Sequence, residues 1–209
     1  TSPDDDALMQ RSTKGGDGNG LSIMSDWNEF RMSASMESVL KGYNDPRMPV
    51  YFLPTEATGT YEGLRNGLTA TQLGETINDY KNNSHVGSRW TSTAFAGGST
   101  THLETPQNVM STAEAFFLRA EGALLGWNMN GTAQELYEAG ITNSLKQWGV
   151  TDDGVINAYK NSTATPVPPG DYLNSPAMSN IPVKFGTTSA VQKEQIATQK
   201  WLAMFPDGM

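Results

Sequence analysis

The stretch TAEAFFLRAEGALLGWNMNGTAQELYEAGITNSLKQWGV, residues 112–150, has the most regular pattern in this 209-residue chain. Its large apolar residues recur at the spacing of one helix face, first through Phe117 and Leu124 and then through Leu136 and Ile141. The turn sequence NMNG separates the two series. This pattern predicts two amphipathic helices that pack against each other as an antiparallel hairpin.

Both helices begin with a recognisable signal. Ser111 and Glu114, and then Thr132 and Glu135, have the spacing of a capping box, in which side chains satisfy the free N–H groups of the first turn. Small residues on the facing surfaces allow the two axes to approach closely: Ala120, Ala123 and Gly140. A single pair of this size cannot bury its apolar face alone, so it needs further helices, as in helical repeat proteins.

Two more helices are predicted outside the hairpin. The first covers 26–43, with Asp26 and Glu29 as its capping box, and the last begins at Ser189, paired with Gln192. The apolar stripe of the first consists of Met32, Met36, Val39, Leu40 and Tyr43, and that of the last consists of Ala190, Ala197, Trp201, Met204 and Phe205. Three tryptophans lie on apolar helix stripes and are predicted to be core residues: Trp127, Trp148 and Trp201. Residues 44–110 form a long, mostly irregular region with one short helix, and long ordered loops of this kind often carry function.

Composition excludes several classes of protein. The formal charge is −8 and the sequence pI is about 4.7 without any Lys/Arg cluster, which disfavours nucleic-acid binding. The chain contains no cysteine, so disulfide frameworks and thiolate sites are excluded. No apolar run approaches the length of a membrane span, and no phosphate-loop, dinucleotide or nucleophile motif suggests a cofactor or an enzyme.

Several blocks together resemble the SusD/RagB-like outer-membrane lipoproteins of the Bacteroidetes. These blocks are SASMESVLKGYNDPRMPVYF (33–52), YEGLRNG (61–67), AEAFFLRAEGALLGW (113–127) and QIATQKWLAMFPDG (195–208), and they occur in the expected order. The resemblance implies a mainly α fold: an irregular helical array in which tetratricopeptide-like helix pairs support long ordered loops. Residues 1–209 are therefore expected to form a single SusD-like domain that is part of a longer chain.

The resemblance also implies a function. Family members are nutrient-binding subunits, usually for oligosaccharides, on the cell surface, and they deliver ligand to a SusC-like TonB-dependent transporter of the outer membrane. Membrane attachment is expected only through an N-terminal lipid that lies outside this chain. Two alternatives remain open from the sequence: a helical-repeat adaptor for protein partners, and an α-helical glycoside hydrolase, for which no pair of carboxylates stands out.

Four loop residues are candidates for ligand binding. Trp90 lies in a polar loop without a helical stripe to bury it, so its ring is available to stack on a sugar; the alternative is that it anchors the loop in the core. Tyr61, Arg65 and Asn66 are candidates for stacking and hydrogen bonding in a cleft. The structural alternative for Arg65, as for Arg47, is an ion pair or carbonyl contact that pins loops to the scaffold.

No metal site is predicted. The segment GGDGNG with Asp17 and Asn19 lacks the remaining oxygen ligands of a calcium loop and is better explained as a flexible turn. His85 and His102 are 17 residues apart in loops and lack the spacing of zinc ligands.

Overall fold

A computed structural model describes residues 2–14 and 16–208 and confirms the mainly helical architecture. The helices are α1 (Gly20–Ser25), α2 (Ala34–Gly42), α3 (Met48–Tyr51), α4 (Ala70–Leu73), α5 (Thr112–Leu124), α6 (Ala133–Gln147), α7 (Asp153–Lys160) and α8 (Ser189–Ala203). The strands are β1 (Ala7–Met9) and β2 (Gln107–Met110). Short 3-10 turns cover Pro3–Asp5, Thr76–Asn78, Tyr80–Asn82, Ser88–Trp90 and His102–Glu104.

These elements belong to two compact units. The helical unit contains the described residues of 1–9, 107–165 and 181–209, and the loop unit contains those of 10–106 and 166–180. The helical unit carries the predicted hairpin, and the loop unit carries all four residues predicted to bind a ligand. That the whole chain forms one domain stays a prediction.

The predicted hairpin is the centre of the helical unit. Helices α5 and α6 pack closely along their length, with Phe117 and Ile141 fully buried. A Cβ atom added at Gly140 would lie 2.7 Å from the Phe117 ring, so the small residue is what lets the two helices meet. Thr132 and Glu135 form the reciprocal capping box of α6, whereas at α5 the Ser111 hydroxyl accepts the Glu114 N–H.

The third long helix, α8, packs on α5 and α6, but through a different face from the one predicted. Its buried residues include Gln195 and Gln199. The Gln195 amide binds the backbone of the preceding loop, donating to the carbonyls of Pro182 (2.8 Å) and Lys184 (2.7 Å). The N-cap is Thr188 rather than Ser189, since the Thr188 hydroxyl accepts the N–H of the third helical residue.

Two of the three tryptophans predicted as core residues are exposed. Trp148 is buried, as expected, but 62% of Trp127 and 43% of Trp201 is accessible to solvent. Trp127 follows the end of α5, where the chain has already turned at Gly126 (φ +82°). Trp201 is exposed because the buried face of α8 contains Gln195, Gln199 and Leu202 instead.

The helical unit also contains an antiparallel pair of strands that the sequence pattern did not predict. Strand β1 pairs with β2, and the register shifts between Ala7 and Leu8. Segments of three and four residues are too short to show the alternation by which a strand is recognised.

In the loop unit, the predicted helix over 26–43 begins eight residues later than expected. Asp26 is the C-cap of α1, Asn28 has a positive φ of 62°, and the N-cap of α2 is Ser33. Between them the chain makes a turn over 26–28 and then leaves helical structure, and the N–H of Met32 donates to Ser84 O. The predicted apolar stripe is nevertheless correct: Met32, Met36, Val39, Leu40 and Tyr43 are all buried.

The long region 44–110 is mostly irregular, as predicted, but it contains two short α-helices, α3 and α4, rather than one, and α4 begins with a capping box. The start of the region is fixed by a fully buried ion pair, in which Arg47 Nη2 lies 2.6 Å from Asp45 Oδ2. This contact confirms the structural alternative for Arg47, which is an ion pair that pins a loop to the scaffold. None of the helices in the described ranges is long and apolar enough to cross a membrane.

Replacing Gly140 tests the packing of the hairpin. Gly140→Leu is expected to reduce the free energy of unfolding by about 1–3 kcal/mol, because the new side chain must displace the Phe117 ring. Denaturant unfolding measures the change. Gln134→Leu, at an exposed position of the same helix, is the control and should be nearly neutral. Equal stability of the Gly140 variant and the wild type would contradict the close approach of α5 and α6.

Candidate functional site

The loop unit is organised around α2, which holds the proline-rich segment 166–180 by hydrogen bonds from Ser38. The Ser38 hydroxyl donates to Val167 O (2.6 Å) and accepts the Met178 N–H (3.0 Å). The Val167 N–H in turn donates to Ser38 O (3.0 Å). One buried serine thus holds both ends of the segment against the helix.

A second residue of α2 connects this segment to the loop that contains YEGLRNG. The Glu37 carboxylate is 1% exposed and accepts the N–H groups of Gly63 (2.7 Å) and Gly170 (3.2 Å). Lys41, one turn further along the helix, donates to Glu37 at 2.7 Å and to Glu62 at 2.9 Å. Because a buried carboxylate needs partners, its position determines where both backbone segments lie.

These two segments and the start of α2 enclose a cleft of about 470 Å³, here named the Arg65 cleft. Its walls combine a cation, a carboxylate, hydroxyls and an amide with proline and methionine surface: Ala34, Ser35, Arg65, Asn66, Pro169, Asp171, Ser175, Pro176, Ala177 and Met178. Such a mixture of a few polar groups on an apolar wall is typical of a small-molecule site.

Arg65 and Asp171 form the polar centre of this cleft. Arg65 Nη1 lies 3.5 Å from Asp171 Oδ2 and also donates to the Ser175 hydroxyl, which donates to Asp171. Burial by itself would raise the pKa of Asp171, but the hydrogen bonds from Ser175 and the nearby Arg65 charge outweigh it and hold that pKa below its usual value. Asp171 is therefore an ionised acceptor at neutral pH.

The structure brings two of the four predicted site residues together. Arg65 and Asn66 both line the cleft, and 38% of the Arg65 side chain is accessible. Within the described residues, Arg65 makes its hydrogen bonds and ion pair through Nη1. Its contacts with Asp171 and Ser175 match the predicted loop-pinning role, while Nε and Nη2 stay able to donate to a ligand.

Tyr61 lies on the same loop but is not among the described residues that line the cleft. Its ring is half-buried, and burial raises the pKa of its hydroxyl. A ligand contact from Tyr61 stays a prediction.

Trp90 requires a correction. Its side chain is 2% exposed, which leaves no ring face open for a sugar to stack on. It ends the 3-10 turn Ser88–Trp90, which packs against α1 and the turn His102–Glu104. The alternative considered from the sequence, that Trp90 anchors its loop in the core, describes its position in the structure.

A second cavity, of about 260 Å³, lies in the same unit and is here named the Tyr172 cavity. Asp171 belongs to the walls of both cavities. The remaining lining residues are mostly polar: Thr58, Thr60, Glu62, Gly63, Ile77, Asn78, Asn82, Asn83, Gly170 and Tyr172. In the described ranges, no group of three or more His, Asp or Glu side chains is placed to hold a metal ion.

Sequence reasoning missed the residues that complete the cleft. Asp171 and Ser175 lie more than 100 residues from Arg65, in a segment that the sequence identified only as a proline-rich loop. Glu37 has the spacing of an ordinary polar residue on a helix. The one sequence feature that could have indicated the role of Glu37 is an acidic residue inside the buried block SASMESVLKG. Nothing in the sequence indicated the pairing of Arg65 with Asp171.

The fold and site define a class of protein before any comparison: helical pairs that accompany ordered loops around a polar cleft. The SusD-like family, described as "Susd and RagB outer membrane lipoprotein", matches residues 1–209. The chain therefore belongs to the SusD-like family of outer-membrane lipoproteins. Among curated proteins there is no significant match.

Solved structures agree with this assignment. The chain is similar to a SusD-like protein from Bacteroides thetaiotaomicron, with 36% identity and a TM-score of 0.79, over 100% of this chain and 42% of that one. It is also similar to a chitin-binding SusD homologue from Flavobacterium johnsoniae, with 36% identity and a TM-score of 0.78, over 99% and 40% respectively. The chain thus spans about two fifths of the length of these relatives.

The role of Trp90 as an anchor leads to a prediction about stability. Trp90→Ala is expected to reduce the free energy of unfolding by about 3–5 kcal/mol, because it leaves a large cavity in the loop unit. Trp27→Ala, at a tryptophan that is 63% exposed in the same unit, is the matched control and should change little. A stable Trp90 variant that binds oligosaccharide more weakly would instead restore the stacking role.

The Asp171 carboxylate leads to a prediction about pH. Since its folded pKa lies below the unfolded value of about 3.9, its ionised form stabilises the fold above that value, and the contribution is lost as pH falls through the folded pKa. Asp171→Asn should therefore lower the melting temperature at pH 7, and the gap to wild type should narrow below about pH 4. Asp153→Asn, at an exposed carboxylate, is the control. A gap that is independent of pH would contradict the ionised state.

Proposed function

We propose that this chain carries the ligand-binding cleft of a nutrient-binding subunit and that the ligand is an oligosaccharide. The supporting observation is the Arg65 cleft, in which Arg65, Asn66 and Asp171 face a common space beside proline and methionine side chains. Sugars present hydroxyl groups that both donate and accept, together with patches of C–H groups. The cleft has a donor, an ionised acceptor, an amide and an apolar wall to meet them.

The pairing of Arg65 with Asp171 suits neighbouring hydroxyls in particular. A guanidinium donates in a fixed plane, and a carboxylate accepts, so two adjacent hydroxyls can bind one to each group. Ser175 and Glu37 hold this pair and its loops before ligand arrives. Such preorganisation limits the entropy lost on binding.

Membership of the family, and the chitin-binding relative at 36% identity, favour a glycan as the cargo. We further propose that the full-length protein passes its ligand to a SusC-like TonB-dependent transporter of the outer membrane. This delivery rests on the family assignment and on none of the contacts within the chain.

Binding without catalysis is the favoured role of the cleft. Glycoside hydrolysis uses two carboxyl groups on opposite sides of the scissile bond. Among the described residues that line the Arg65 cleft, Asp171 is the one carboxylate, and it is held by Arg65 and Ser175. We therefore expect the cleft to hold a sugar without cleaving it.

Replacing Arg65 tests the proposal. Arg65→Met is expected to weaken binding of a chitin-derived trisaccharide by about 10- to 100-fold, because it removes charge-assisted hydrogen bonds worth roughly 1.5–3 kcal/mol. Isothermal titration calorimetry measures the affinity, and the melting temperature checks that the fold is kept. Lys81→Met removes another cation of the loop unit, outside the cleft, and should leave the affinity unchanged.

Two results would contradict the proposal. Equal affinities of the wild type and the Arg65→Met variant would remove the cleft from the site. Release of shorter sugars from a polysaccharide, abolished by Asp171→Asn, would replace binding by hydrolysis.

A further inference from the structure

The Tyr172 cavity differs from the Arg65 cleft because most of the donor groups in its wall already donate to acceptors within the chain. The N–H groups of Gly63 and Gly170, which lie in its wall, both donate to the buried Glu37 carboxylate. A ligand in this cavity therefore finds neither of these backbone donors free.

The side-chain amides of the three asparagines in the cavity wall are all held in the same way, with the NH₂ group bound to a backbone carbonyl. Asn78 Nδ2 donates to Gln72 O (2.8 Å), Asn82 Nδ2 to Thr76 O (2.6 Å), and Asn83 Nδ2 to the carbonyls of Ile77 and Asp79. A carbonyl partner fixes which end of each amide is the NH₂ group. The three Oδ1 atoms accept no hydrogen bond from any described residue, although Asn78 and Asn83 are more than 90% buried.

The hydroxyl groups of Thr58 and Thr60 also donate their hydrogens to acceptors within the chain. Thr60 donates to Glu62 Oε1 (2.9 Å), so the Thr58 hydroxyl, at 2.6 Å from Thr60, is left to donate to Thr60. This chain of hydroxyls ends on a carboxylate. The polar wall therefore presents mainly oxygen acceptors, next to the half-buried ring of Tyr172.

We propose that the Tyr172 cavity is a second sugar subsite, selective for an amino sugar with a free ammonium group. An ammonium group has three N–H donors and no acceptor, so it matches the asparagine oxygens and the carboxylates of Glu62 and Asp171. The hydrogen bonds from Lys41 and Thr60 outweigh burial and hold the pKa of Glu62 below its usual value, so both carboxylates are charged at neutral pH.

An N-acetylated sugar fits this wall less well. Its acetamide carbonyl needs a donor, and in the cavity it would face acceptor oxygens whose hydrogens are absent or already used. The ring of Tyr172 offers a flat apolar face for the C–H groups of either sugar. Selectivity therefore comes from the nitrogen substituent rather than from the ring.

This inference rests on the proposed glycan binding, because the two cavities share Asp171 and so place two sugars of one oligosaccharide near each other. The test compares the β-1,4-linked trisaccharides of glucosamine and of N-acetylglucosamine by calorimetry at pH 6. Wild type is expected to bind the glucosamine trisaccharide at least ten times more tightly. Glu62→Gln should weaken binding of the glucosamine trisaccharide about tenfold and leave binding of the acetylated one within a factor of two. Tyr172→Leu should weaken binding of both trisaccharides, because the ring faces the C–H groups of either sugar.

Two matched controls keep the test specific. Glu75→Gln removes an exposed carboxylate and Trp27→Leu removes an exposed aromatic ring, both in the loop unit and outside the cavity, and neither should change the preference. Melting temperatures within 3 °C of wild type are required of all variants, and Glu62→Gln alone decides the outcome should Tyr172→Leu fail this criterion.

The outcomes separate this inference from the proposed function. Equal binding of both trisaccharides by wild type, or a preference that survives Glu62→Gln, overturns the amino-sugar subsite. The proposed function still holds in that case provided that Arg65→Met weakens binding of the acetylated trisaccharide. Absence of binding for both sugars overturns both proposals.

Discussion

The carboxylate of Glu37 is the contact on which the candidate site depends. It lies inside the loop unit and is held by two glycine N–H groups from loops far apart in sequence, with Lys41 balancing its charge. A buried charge without partners is too costly to keep, so the loops must approach the helix for the unit to fold. The same contact uses two backbone donors in the wall of the Tyr172 cavity, the N–H groups of Gly63 and Gly170, that a ligand would otherwise find.

The helical unit also contains buried polar side chains that bind backbone groups of a loop, although these side chains are uncharged. Gln195 and Gln199 lie on the buried face of α8, whereas the sequence pattern predicted that a different face, with Trp201, is buried. Gln195 binds three backbone groups of the loop that precedes the helix, and Gln199 donates to the hydroxyl of Tyr159. A long polar side chain can therefore belong to the core when a loop brings backbone groups to meet it.

Under the functions proposed above, the two cavities divide the recognition of a glycan between complementary kinds of chemistry. The Arg65 cleft contains a cationic donor and an ionised acceptor, which suits neutral hydroxyl groups. The Tyr172 cavity offers acceptors beside an aromatic ring, which suits a donor-rich substituent. A single carboxylate, Asp171, lies in both walls and so places the two sets of groups next to each other.

The sequence by itself determined the family and the mainly helical class, the hairpin of α5 and α6, the close approach at Gly140 and the burial of the α2 stripe, because each depends on residues only a few positions apart. Through the compact motif YEGLRNG it also predicted two residues that line the Arg65 cleft, Arg65 and Asn66. Only the tertiary structure decided that Trp90 is buried, that Trp127 and Trp201 are exposed and that α8 turns its glutamines inward. It likewise decided that Arg65 meets Asp171. These features depend on contacts between segments tens to more than a hundred residues apart, and local periodicity carries no information about such contacts.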